Sequence, residues 1–108
     1  MTTTKLTQIE ARDGAVACTL TPSEYRARTA DLGALASQAL RSRQPIDGGE
    51  RLTFTDSPDT ERNLRAAIAA EASCCSFLAM TLTRSADGLA LDVTGPAHAR
   101  PIIAELFR

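Results

Sequence analysis

The sequence predicts an α+β fold, a two-layer sandwich in which a small mixed sheet carries helices mainly on one face. Three observations point there. Short runs of polar–apolar alternation, as half-buried strands require, are interspersed with stretches of helical period. Two of the helical stretches open on a Thr-Pro or Ser-Pro start, where a side-chain oxygen caps the first turn and the proline φ is already set. Glycines and prolines fall singly or in pairs between these segments, as punctuation within one domain. The order reads β-α-β-α-β-β-α, related to a split β-α-β arrangement. With 108 residues, 44% of them hydrophobic, the chain has enough apolar surface for one core without disulfide staples. A single domain over residues 14–108 is expected, with residues 1–13 as a tail or an extra edge strand along Leu6 to Ile9.

Each element has its reason. Ala15 to Leu20 alternate, with Val16, Cys18 and Leu20 on one face, so this first strand points Cys18 inward. Thr21-Pro22-Ser23-Glu24 starts a long helix that should run to about Arg43, with an inward stripe of Tyr25, Arg28, Leu32, Leu35, Ala36 and Ala39. Arg28 is the stripe's one charge. A break is read from Gln44-Pro45 to Gly49, after which Leu52 and Phe54 mark a short strand. Ser57-Pro58-Asp59 opens the second helix, read as helical from Glu61 to Leu78. Met80 and Leu82, then Leu89, Leu91 and Val93, form two strands joined across Ser85-Ala86-Asp87-Gly88 as a hairpin. Ala99 to Phe107 closes the chain as a helix with Pro101 in its first turn.

Composition narrows the partners. Twelve Lys and Arg against thirteen Asp and Glu leave a net charge of −1, so no general positive field attracts phosphate backbones and nucleic acid is not expected as a partner. No apolar run reaches membrane-spanning length, and the opening MTTTKLTQIEAR has no apolar core of a secretion signal, so a soluble, cytoplasmic protein is expected. The three cysteines are an odd number, and Cys74 and Cys75 are adjacent, which does not make a structural disulfide framework. Reduced thiols in a reducing compartment follow.

The chemistry concentrates on the second helix. Stepping about 100° per residue from Leu64 brings Ile68, Ala72, Cys75 and Ala79 onto one buried stripe, with Glu71 on its other side and Cys74 near its edge. A carboxylate thus sits among apolar residues and thiols. Residues three and four apart are helix neighbours, so Glu71 can meet both Cys74 and Cys75. A buried carboxylate needs compensation. Arg28 or a metal ion can supply it. Cys18 is the one further sulfur, and His98 the one imidazole. Two or three thiolates with a carboxylate suit soft ions such as mercury(II), arsenic(III), copper(I), cadmium or zinc, whereas magnesium and calcium prefer oxygen. A closed structural zinc site normally has four ligands in spaced pairs, which this chain lacks. The alternative is that the cysteines pack as small hydrophobes, that Arg28 and Glu71 form a structural ion pair, and that His98 is solvated.

The segment Ala70-Glu71-Ala72-Ser73-Cys74-Cys75-Ser76-Phe77-Leu78 resembles the ExxCCxF signature of a small bacterial domain that occurs alone or behind regulators of the mercury-resistance (MerR) type. The likeness reaches both ends of the domain: Ala17-Cys18-Thr19-Leu20-Thr21-Pro22 with Glu24, Arg26 and Arg28 resembles its opening, and Gly88 to Val93 with Gly95-Pro96 and Leu106-Phe107 its close. Ser76 departs from it, standing where proline is common. The resemblance implies an association with soft-metal or metalloid stress and points at Cys18, Arg28, Glu71, Cys74 and Cys75. A helix-turn-helix with its coiled coil does not fit beside the domain in this chain, which leaves a standalone module.

Three functions are therefore weighed. The first is a cytoplasmic soft-metal or metalloid binding domain with Cys74 and Cys75 as primary ligands, Cys18 as third, Glu71 orienting or completing the site and Arg28 balancing charge. The second is a thiol oxidoreductase or thiol transferase working through Cys74 and Cys75. The third is a structural or dimerisation module with buried cysteines, its homodimer formed through a sheet edge or the last helix.

Overall fold

A computed structural model describes residues 3–10, 22–74 and 77–108, and of Pro22, Tyr25, Ser73 and Cys74 it describes the backbone alone. The elements are β1 (Thr4–Ile9), α1 (Pro22–Ala39), β2 (Leu40–Ile46), β3 (Gly49–Phe54), α2 (Pro58–Cys74), β4 (Ala79–Ser85) and β5 (Gly88–Thr94), followed by a 3₁₀ turn (Ala97–Ala99) and α3 (Arg100–Glu105). The strands form one five-stranded sheet in the order β1-β4-β5-β3-β2. The α+β class stands as expected.

Every pairing in the sheet is antiparallel, so it is not mixed. The reason lies in β5. It is hydrogen-bonded to both β3 and β4, and therefore separates the two strands that run in the same direction. The unit β3-α2-β4 is a split β-α-β, with the filling strand supplied by the tight β4–β5 hairpin. Gly88 permits that hairpin: its φ is +121°, and a Cβ there would lie 2.5 Å from the Phe54 carbonyl oxygen.

Alternation along β3, β4 and β5 sends Leu52, Phe54, Met80, Leu82, Leu89, Leu91 and Val93 to one face, where they are buried with Leu32 and Leu35 of α1, Leu64 and Ile68 of α2, and Ile103 of α3. All three helices thus cover the same side of the sheet. Phe77 and Leu78 join this core from the connection after α2. Phe107 meets Phe54 edge to face at 5.5 Å.

Four boundaries differ from expectation. Helix α1 stops at Ala39 rather than near Arg43, and Leu40–Ile46 is strand β2. Pro45 cannot continue a helix, and Asp47-Gly48, with Gly48 at φ +82°, turns the chain back onto β3 in register with Leu52 opposite Arg43. The break thus sits at Asp47-Gly48, and Gln44-Pro45 is strand. Helix α2 starts as its cap predicts, Ser57 Oγ accepting from the Thr60 amide at 3.1 Å; it is described as far as Cys74, and Phe77 is already a turn, so the helix stops before Leu78, in keeping with an end expected at Ser76-Phe77. Ala79, expected on its buried stripe, instead opens β4. The last helix is split, its first turn being 3₁₀, and Pro101 lies at the start of α3. Residues 4–9 form the edge strand β1. The strand expected at Ala15 to Leu20 lies outside the described residues.

Arg43 explains how the chain's end is fastened. From the inward side of β2 it pairs with Glu50 at 2.9 Å and donates to the carbonyl oxygens of Ala104, Leu106 and Phe107 at 3.3, 2.9 and 3.4 Å. The carbonyls that a helix C-terminus leaves without partners are thereby satisfied. Among the described residues no helix is long and apolar enough to cross a membrane.

Candidate functional site

Among the described residues Glu71 is the one buried acid. On α2 its neighbours toward the sheet are Leu64 and Ile68, which lack polar atoms, and the residue is only 4% exposed. Arg28 reaches it from α1, Nη1 donating to Glu71 Oε1 at 3.3 Å, with the arginine side chain 23% exposed. A carboxylate held this deep would be costly without the guanidinium, so the pair ties α1 to α2. Among the described residues every buried side-chain polar atom has a hydrogen-bond partner.

The two helices do not pack flush. Between them lies a cleft of about 380 Å³, floored by Leu32 and Leu35 of α1 and by Ala66, Ala67 and Ala70 of α2, with Arg28 among its lining. Alanines keep it open because their side chains stop at one carbon. Composition alone hinted at this: the run Arg65-Ala66-Ala67-Ile68-Ala69-Ala70 is too small on one face to fill the gap against α1.

Cys74 is the last described residue of α2, three residues past Glu71. The Cys74 side chain, and all of Cys75 and Cys18, lie outside the described residues. Sequence reasoning and structure therefore meet at Arg28 and Glu71, which are brought together across a sequence separation of 43 residues. Among the described residues no group of three or more His, Cys, Asp or Glu could hold a metal ion. His98 is exposed on the 3₁₀ turn, in line with the solvated reading.

A second charged group escaped the sequence reading. Arg84, on β4, pairs with Asp56 at 2.9 Å and with Glu61 of α2, and Arg65 adds a contact to Glu61 at 2.9 Å. The hydrogen bond from Arg84, joined by that from Arg65, holds the Glu61 carboxyl below its ordinary range. The signal for it was the Glu61–Arg65 spacing of one helical turn.

No protein-family model matches this chain, and comparison with curated proteins and with solved structures finds no match either.

Proposed function

We propose that this chain is a cytoplasmic binding domain for a soft metal or metalloid ion, held by the thiolates of Cys74 and Cys75 with Cys18 as third sulfur. The observation that carries the reading is Glu71, a carboxylate buried on the turn of α2 that ends at Cys74. Arg28 compensates that charge, and the carboxylate's place beside the cysteine pair gives it a use beyond tying the helices together. Two or three thiolates beside one carboxylate make a donor set for mercury(II), arsenic(III), copper(I), cadmium or zinc. Glu71 would orient the ligands or complete the site, and Arg28 would offset negative charge as thiols ionise.

The position of Cys74 also weighs against thiol catalysis. A helix C-terminus carries the negative end of the macrodipole, which disfavours the thiolate, whereas redox cysteines usually gain from a helix N-terminus.

The test is titration of the reduced protein with mercury(II), arsenite, copper(I) and zinc beside a Cys74→Ser, Cys75→Ser double variant. Binding that is lost in the variant, releases protons and strengthens as pH approaches about 8.5 supports the proposal. Equal, weak binding by both proteins rejects it and leaves the cysteines as packing residues. A thiol alkylated rapidly well below that pH without metal would favour the oxidoreductase or transferase.

A further inference from the structure

The cleft between α1 and α2 opens to solvent yet has an apolar floor, its Leu32 and Leu35 being 5% and 8% exposed. Its two ends differ. Arg28 and Ala70 stand at the end where Arg28 meets Glu71, and Gln38 and Asn63 at the other. At a rise of 1.5 Å per residue, the stretch of α2 from Asn63 to Ala70 spans about 10 Å, long enough for a phenyl ring. The volume of about 380 Å³ lies in the range of pockets that hold small organic molecules.

The cleft leads toward the cysteine pair. Stepping about 100° per residue along α2, Asn63, Ala67, Ala70 and Cys74 fall within about 60° of one another, so the helix carries Cys74 on the stripe that lines the cleft. Cys74 follows Ala70 by four residues, about 6 Å along the axis. An ion held at that turn sits at the end of an apolar trough. A bare ion gains nothing from apolar walls, whereas an organic group attached to the ion gains by leaving water.

We propose that the ligand is an arsenic(III) centre carrying one aryl group, the ring lying in the α1–α2 cleft and the arsenic bonded to Cys74 and Cys75. The inference rests on the soft-ion reading above and narrows it. Arsenic(III) forms three bonds. In a monoaryl arsenical one of them already goes to carbon, so the adjacent cysteines complete the set without a third sulfur, whereas inorganic arsenite also needs Cys18. With an aryl arsenic oxide the step balances: two S–As bonds form, the As–O bonding is broken, and the two thiol protons leave with that oxygen as one water. Neither arsenic nor sulfur changes oxidation state. Covering about half of a phenyl ring in an open cleft corresponds to about tenfold in affinity.

The experiment sets the reduced full chain against dithiothreitol in competition for phenylarsine oxide and, separately, for methylarsonous acid. Dithiothreitol offers two thiols and no cleft, so the competition cancels the intrinsic difference between the two arsenicals. The expected result is a preference of about tenfold for the phenyl compound, reduced to within about twofold by Ala67→Phe, which fills the trough. Ala66→Leu serves if that variant does not melt cooperatively. Equal corrected affinity for the two arsenicals, or a preference that survives the filled cleft, overturns the inference and leaves the soft-ion reading standing. So does a chain that binds inorganic ions but neither arsenical. A chain that binds none of them overturns both.

Discussion

Separating the two halves of the Arg28–Glu71 pair should have unequal consequences, and the inequality can be worked from their exposure. Replacing Arg28 by Met leaves a carboxylate at 4% exposure without its cation. Removing one partner of a buried pair typically destabilises by about 3–5 kcal/mol. Because the Arg28 side chain keeps 23% of its surface in solvent, the interaction is partly screened, and about 2–3 kcal/mol is the appropriate figure here. For a domain of this size that lowers the melting temperature by about 10 °C. Glu71→Leu leaves instead a guanidinium that can turn toward water, and it adds apolar contact beside Ile68; its effect should stay within about 1 kcal/mol. The double variant should resemble Glu71→Leu alone, so the coupling energy between the sites equals the whole cost of Arg28→Met, about 2–3 kcal/mol. Urea denaturation followed by circular dichroism measures all four proteins. Equal losses from the two single variants, adding without coupling, would refute the claim that the arginine exists to satisfy a buried acid.

Three further outcomes follow from the geometry. Arg43→Ala removes the donor to three carbonyl oxygens and the partner of Glu50, and should cost about 2–3 kcal/mol while amide hydrogen exchange rises first in α3 and its flanks. Phe54→Ala opens a cavity at the centre of the core and takes away the edge contact to Phe107; a loss of about 3–5 kcal/mol is expected by urea denaturation. The third concerns acid. The folded-state pKa of Glu61 is displaced downward from about 4.5, chiefly by the hydrogen bond from Arg84, so its contribution to stability is present above that pH and is lost as pH falls through the lower, folded value. Glu61→Gln should therefore flatten the stability profile below about pH 4.5, as read from melting temperatures between pH 3 and 6.

The parts of the fold legible in the sequence were those written in local chemistry. Ser57-Pro58 announced α2, and the alternation of Met80, Leu82, Leu89, Leu91 and Val93 announced the hairpin and its inward face. Arg28 and Glu71 stood out because charges on apolar stripes demand partners, and the two proved to be each other's. What escaped was decided by tertiary contact. Residues 40–46 look no more like a strand than like a frayed helix end, because Arg41, Arg43 and Gln44 tolerate either; pairing with β3 settles it. The inward direction of Arg43 could not be read either, since its reward is the carbonyl oxygens of a helix some sixty residues later. The antiparallel order likewise depends on where β5 lands.

That placement shapes how the molecule can be born. The middle strand of the sheet is the last strand to leave the ribosome, so until Thr94 has emerged β3 has the β2 hairpin on one side and nothing to bind on the other, and β4 faces the same vacancy. Neither β3 nor β4 can complete its pairing before β5 is available, and placing that one strand closes both gaps at once. Folding should thus behave as a late, all-or-none event, and chains arrested before residue 88 should depend on chaperones in a way that the finished protein does not.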